Sequence, residues 1–292
     1  MTEKSATRVD YESAGGARIA TYRWDPPGVP RAIAQITHGV GEYAQRYQPL
    51  VDDLLADGYV VYSHDHRAHG NTASSPDEFG VLGEGGWREL VADIGRTGRL
   101  ATDAHPGLPL VLIAHSLGSF AAQQYLLDHS ADVTAVVLSG TAAIDLLEPA
   151  MDLDAPMDLS AFNAPFEPAR TDFDWLSRDE AQVDAYINDP WCGFGLDATG
   201  MRDCFEGARQ LTDPKRVAGM RHDLPVDVVV GELDPVGGGG ALVDALVQRY
   251  EQAGLDVTLE RWPQAQHEVF NESNRNEVVT TMLAWLDQQI PR

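Results

Sequence analysis

The sequence predicts an α/β protein, with a mostly parallel sheet, helices on both faces and a helical insertion above one end. Three observations carry this expectation. Short β-branched runs recur through the 292 residues, stretches with apolar residues at helical spacing separate them, and the alternation stops from about Ile144 to Glu206. Strands alternating with helices are joined most simply as parallel neighbours, with the helices covering both faces.

The segments "TRVDYES" and "ARIATYRW" read as a leading hairpin around Gly15 and Gly16. Next come the strand-like runs "AIAQITH", "YVVYSHD", "LPLVLIA", "VTAVVLS", "VDVVVGE" and "DVTLERW", each followed by a turn signal. Helical spacing marks "YQPLVDDLLADG", "WRELVADIGRTGRLATDA", "FAAQQYLLDH", "ALVDALVQRYEQAG" and "RNEVVTTMLAWLDQQI", and Gly58 and Gly254 sit where two of these should stop. In the interrupted stretch, acidic residues alternate with Met151, Met157, Phe162, Phe166, Phe173, Trp175, Trp191, Phe194 and Phe205. This pattern predicts an inserted lid at 144–206, with residues 1–143 and 207–292 forming the core.

Apolar residues make up 43% of the chain, enough to fill a sizeable core. Forty-five acidic residues against 21 basic ones leave a net charge of −24, and only Lys4 and Lys215 are lysines. Such a field repels phosphate backbones and anionic lipid, so nucleic acid is excluded as a partner. The first residues lack an apolar signal region, and no apolar run is long enough to span a bilayer, so a cytoplasmic protein without stable membrane insertion is expected. The two cysteines, Cys192 and Cys204, make no disulfide framework and are expected as buried thiols.

Within "LIAHSLGS", Ser116 follows an apolar strand and precedes a helix. A serine on a sharp strand-to-helix turn needs small residues two positions to either side, and Ala114 and Gly118 meet that need. A hydroxyl is a weak nucleophile until a base removes its proton and a third group orients the base. Asp234, after "VDVVVGEL", and His267, after "VTLERWPQAQ", supply these types on the turns after two later strands. The chain order Ser, Asp, His is that of α/β-hydrolases. Ser116 is therefore the expected nucleophile, His267 the base and Asp234 its orienting acid. In "THGVGEY", Gly39 and Gly41 allow a turn whose amides face inward, so the Val40 and Leu117 N–H groups are the expected oxyanion donors. In "HDHRAHG", His64, His66 and His69 lack a matching ligand cluster elsewhere, so a structural role is expected rather than zinc, with Asp65 and Arg67 pairing in the turn. His115 is expected to face away from Ser116, and Glu42, Arg46 and Tyr47 to cluster behind the Val40 loop, with solvated surface an equal alternative for Glu42. No cofactor is called for.

With these residues in place, the sequence resembles the monoglyceride lipase and lysophospholipase-like branch of the α/β-hydrolases. The resemblance rests on "HGVGEYAQRY" (38–47), "DHRAHGNT" (65–72), "AHSLGS" (114–119), "GELDPVG" (231–237) and "HEVFNE" (267–272). It implies an eight-stranded sheet, the roles given above to Ser116, Asp234, His267, Val40 and Leu117, and a small ester as substrate. Ala114 stands where the branch carries the first glycine of its serine motif, Ala68 replaces a glycine of the turn after Arg67, and the lid matches only around "NDPWCGFG" (188–195). An esterase for short or aromatic esters, a carbon–carbon bond hydrolase and a non-catalytic ligand-binding protein are the alternatives. Epoxide and haloalkane hydrolysis on this fold would call for a carboxylate at position 116.

Overall fold

The computed structural model describes residues 5–291. Its ten strands are β1 (Thr7–Arg8), β2 (Tyr11–Glu12), β3 (Arg18–Ile19), β4 (Thr21–Trp24), β5 (Ala32–Thr37), β6 (Tyr59–His64), β7 (Leu110–His115), β8 (Ala135–Ser139), β9 (Pro225–Gly231) and β10 (Asp256–Trp262). Eight of them form one sheet in the order β1-β4-β6-β5-β7-β8-β9-β10. From β6 to β10 the pairs are parallel, and β4 and β1 add an antiparallel edge. β2 and β3 make a separate hairpin whose turn includes Gly15 at φ 74° and Gly16, as the leading segments predict.

Among the helices, α1 (Gln48–Ala56) and α8 (Arg275–Gln289) cover one face of the sheet. α2 (Gly86–Ala104), α3 (Leu117–His129) and α7 (Ala241–Gln252) cover the other. Leu50, Leu54, Val278 and Met282 fill the first layer with Val111, Ile113 and Val229. Leu90, Ile94, Leu126 and Leu246 fill the second with Leu110, Leu112 and Val228. Strands buried on both faces read as unbroken apolar runs, which is why β7 and β8 were visible as such. Gly58 (φ 86°) and Gly254 (φ 85°) follow α1 and α7 in the left-handed conformation that ends a helix.

The stretch between β8 and β9 carries helical elements and, among the described residues, no strand, its second part being the more regular. Its first part holds only short 3-10 turns at Ile144–Leu146, Glu148–Ala150 and Leu159–Phe166, with prolines at 149, 156 and 165 interrupting the backbone bonds a longer helix needs. α4 (Glu180–Asn188) and α5 (Ala198–Arg209) follow, then α6 (Pro214–Val217), and the chain re-enters the sheet at Pro225. α5 thus runs across position 206. Part of the acidic pattern is capping: Asp179 accepts from the Ala181 N–H and Asp197 from the Gly200 N–H, satisfying donors at the starts of α4 and α5. Cys192 is half-buried and Cys204 buried, both as free thiols. Among the described residues, no helix is long and apolar enough to cross a membrane.

Candidate active site

The parallel register aligns the carboxyl ends of the central strands, with Thr37 beside Ala114, His115 beside Ser139 and Gly231 beside Trp262. Ligands of open α/β sheets bind along such an edge, where the loops leaving the strands converge. Ser116 is the single residue between β7 and α3, with φ 50° and ψ −121°, a conformation costly to a residue with a side chain. Three bonds hold it there: Ser116 N–H donates to the Ser139 carbonyl at 3.0 Å, and the Ser116 carbonyl accepts from Phe120 N–H at 3.0 Å and Ser119 Oγ at 2.6 Å. The need for small neighbours is visible too. A Cβ at Gly118 would lie 2.6 Å from the carbonyl oxygens of Thr37 and His38, whereas the methyl of Ala114 is accommodated fully buried against the second core layer.

Asp234 follows β9 and caps the turn Pro235–Gly237 by accepting from Val236 N–H at 2.9 Å. Its other oxygen lies 2.9 Å from His267 Nδ1. His267 is 2% exposed, and burial opposes its protonation, but the Asp234 carboxylate outweighs burial, with Glu268 and Glu42 adding to it. The imidazole pKa therefore sits above its ordinary value. The Ser139–Gly140 corner connects the two sites: Ser139 holds Ser116, and a Cβ at Gly140 would meet His267 Cε1 at 2.8 Å. Chain segments distant in sequence thus bring Ser116, Asp234 and His267 to one edge.

The loop after β5 completes the edge. Gly41 has φ 64°, and the Gly39 N–H donates to Glu42 Oε1 at 2.5 Å, so the turn is fixed from within. Val40 borders the same cleft as Ser116 and Leu117. Leu117 N–H, in the first turn of α3, is one of the donors an α-helix leaves without an internal partner. Behind this loop the expected polar cluster forms: Tyr47 Oη donates to Glu42 at 2.7 Å and Arg46 to Glu42 at 2.5 Å. Arg46 also makes a two-pronged contact with Glu268, at 3.0 and 3.1 Å. Burial pushes the Glu42 carboxyl up; Glu268, also buried, is held down at about 2 by Arg46. Glu268 was not singled out as a functional candidate, although its place next to His267 in "HEVFNE" was available as a signal.

One expectation fails. Asp65 does not pair with Arg67: it accepts from the N–H groups of Ala44 (2.9 Å) and Asn71 (2.7 Å) and from Tyr22 Oη (2.9 Å). Arg67 turns the other way, to Asp93 at 2.7 Å, while the buried Asp65 carboxylate takes its donors from Asn71 in the turn, from the loop after β5 and from β4. That turn includes Ala68 at φ 59°, so alanine here bears a left-handed conformation that glycine would adopt freely. His115, expected to face away from Ser116, lies against His267. Alternation along β7 puts it on the α8 face, where the loop after β10 descends, and its ring lies 4.8 Å from that of His267. It bonds Ser139 Oγ at 2.9 Å, and burial followed by the His267 charge lowers its pKa to about 3. His64, His66 and His69 are all buried. His66 N–H donates to His38 Nε2 at 2.9 Å and His66 Nε2 contacts the His38 carbonyl at 3.0 Å, while His64 and His69 bond Thr97 and the Arg67 carbonyl.

Above Ser116 lies an apolar cleft. Val40, Leu117, Phe120 and Val236 form its core side, and Met151, Met157, Leu159, Phe162, Trp175 and Phe205 come from the stretch between β8 and β9. Its cavity is about 30 Å³, room for a water or two at roughly 10–15 Å³ each. A roomier surface depression of about 430 Å³, lined by Arg8, Tyr22, Gln45 and Asn71, includes none of the expected catalytic residues.

The sheet order, the turn at Ser116 and the buried His267–Asp234 pair define an enzyme of the α/β-hydrolase class, and the comparisons with known proteins agree. Residues 28–274 match the family described as serine aminopeptidase, S33, and the chain belongs to that family, within its monoglyceride lipase branch. It is 33% identical to a monoacylglycerol lipase of Mycolicibacterium smegmatis over 97% of this chain and 98% of that one. It is 26% identical to the monoglyceride lipase of Mus musculus over 95% and 89%. In fold it is similar to a thermostable carboxyl esterase of Bacillus coagulans, solved with glycerol, at a TM-score of 0.87 and 23% identity, covering 98% of this chain and 99% of that one.

Proposed function

We propose that the protein is a serine hydrolase of carboxylic esters that uses Ser116, His267 and Asp234 through an acyl-enzyme. The carrying observation is the strained Ser116, set on the same sheet edge as a buried imidazole bonded to Asp234 at 2.9 Å. Asp234 accepts from Nδ1–H, which leaves Nε2 as the basic nitrogen. His267 takes the Ser116 proton as Oγ attacks the ester carbonyl, then returns it to the departing alcohol. Water repeats the sequence on the acyl-enzyme and releases the acid. The developing oxyanion sits between the Val40 and Leu117 N–H groups, where losing one donor typically costs about 10²–10³ in rate.

The 144–206 stretch acts as a lid whose side chains wall an acyl site. Because the cavity is small, Met151, Met157 and Phe162 must part to admit a fatty chain. The apolar cleft and the strongly acidic chain suit a neutral monoester, and two relatives carry the names monoacylglycerol lipase and monoglyceride lipase. Monoacylglycerols and other small neutral esters are therefore the proposed substrates, met in the cytoplasm. The test is hydrolysis of p-nitrophenyl esters of increasing acyl length and of a monoacylglycerol by wild type and Ser116→Ala. Ser116-dependent turnover extending to long chains and the glyceride supports the reading. Confinement to short or aromatic esters would keep the chemistry and replace the substrate, and turnover that survives in Ser116→Ala would remove the mechanism.

A further inference from the structure

We propose that the indole N–H of Trp175 is a specificity-determining donor that binds a second oxygen on the alcohol portion of the substrate. The inference rests on the ester-hydrolase reading above. Trp175 is 3% exposed, it walls the cleft over Ser116, and its Nε1 is buried without a hydrogen-bond partner among the described residues. Leaving a buried donor unpaired is costly, so such groups call for an explanation.

The surroundings hold this indole firmly while offering the N–H no acceptor. The Trp175 backbone N–H donates to Asn163 Oδ1 at 3.0 Å, and its carbonyl accepts from His267 N–H at 3.3 Å. The ring packs on Phe162 at 5.0 Å and on the His267 imidazole at 4.9 Å. A donor fixed in this way before substrate arrives loses little freedom on binding. Among the described residues walling the cleft, the other side-chain polar hydrogens belong to the Ser116 hydroxyl and the Cys204 thiol. The first is consumed in the chemistry and the second is a weak donor. The Trp175 N–H is thus the strong side-chain donor left for recognition.

Its position selects the part of the substrate it meets. His267 must deliver a proton to the departing alkoxide, so a ring packed at a tilt of 42° against His267 stands beside the alcohol portion rather than the far end of the acyl chain. The carbonyl oxygen goes to the Val40 and Leu117 amides and the alkoxy oxygen to His267. What remains to accept from Trp175 is a further hydroxyl or ether oxygen, as in an ester of a diol or polyol. A site built around such a bond disfavours an analogue lacking the oxygen, because the donor is then left buried and unpaired.

The test compares kcat/KM for 2-hydroxyethyl and propyl esters of one fatty acid, which match in heavy-atom count and differ in the second oxygen. Wild type is expected to prefer the 2-hydroxyethyl ester, and Trp175→Phe to lower that preference by about fivefold to tenfold, the worth of one neutral hydrogen bond. Leaving-group differences cancel in this ratio of ratios. A change under twofold, or an equal loss on both esters, overturns the assignment and makes Trp175 a packing residue for His267. Should Trp175→Phe fail to fold, benzothienylalanine at position 175 replaces the N–H by sulfur at nearly the same size and allows the same comparison. Failure of the underlying reading has a different signature, since wild type would then show no Ser116-dependent hydrolysis of either ester, and both proposals would fall.

Discussion

Replacing Asp227 by asparagine should stabilise the protein by an amount that grows with pH. Asp227 lies in β9, whose Val226 and Val228 face the α7 side while Asp227 shares the α8 side with Val229. It is fully buried, and neither carboxylate oxygen has a hydrogen-bond partner among the described residues. Its neighbour in β10 is Thr258, whose hydroxyl is occupied by Trp285 Nε1 at 3.1 Å. Burial, followed by the like charge of Glu260, pushes the Asp227 pKa from 3.8 up to about 8. The unfolded chain releases this proton above its ordinary carboxylate range, the native state only near pH 8, so between these values the unfolded state binds fewer protons. Stability then falls as pH rises, by about 1.4 kcal/mol per unit. Asparagine has no such proton to lose. Urea denaturation of both proteins, followed by far-UV circular dichroism, should therefore show the advantage of Asp227→Asn widening by about 2–3 kcal/mol from pH 6 to pH 8. The comparison cancels the shared contribution of the other acidic groups. A stability difference that stays constant over this range would refute the buried, unpaired carboxyl.

With His267 as the proposed base, its raised pKa places the acid limb of kcat/KM above pH 6.5, since such a base acts only when neutral. Glu268→Gln, which removes one of the charges raising it, should move that limb downward; an unmoved or rising midpoint would contradict the electrostatic coupling. Asp234→Asn should lower kcat by roughly 10⁴ with the fold retained, because the imidazole loses the partner that fixes its tautomer; near-normal turnover would show that another group orients His267. Gly118→Ala should destabilise by about 1–3 kcal/mol, because a methyl there meets two backbone carbonyls that cannot swing aside. An unchanged urea midpoint would mean the turn is looser than its geometry indicates.

Much of this architecture was legible in one sequence because buried parallel strands write themselves as apolar runs. β5 to β9 stand out in that way, and the glycines at 58 and 254 end α1 and α7 where the pattern predicts. The candidate site could be proposed for a related reason: Ser116 directly follows β7, and Asp234 and His267 lie in the loops that follow β9 and β10, so strand ends bound their positions. Side-chain pairings across the fold were less accessible. Asp65 and Arg67 are neighbours of opposite charge, yet each is claimed by a tertiary partner that local sequence does not reveal. The lid's first part is built from 3-10 turns because its prolines decide against longer helices. Trp175 was visible only as one aromatic among many, and its unpaired N–H emerges from three-dimensional packing alone.

The central claim is that Ser116 is the nucleophile, and reaction with a fluorophosphonate followed by mass mapping of the adduct tests it most directly. Such a probe phosphonylates an activated serine with loss of fluoride and mimics the tetrahedral intermediate. One equivalent bound at Ser116, with ester hydrolysis lost in proportion and labelling abolished in His267→Ala, is the predicted result. An adduct at another residue, or full hydrolytic activity in protein whose Ser116 is completely modified, would contradict the account.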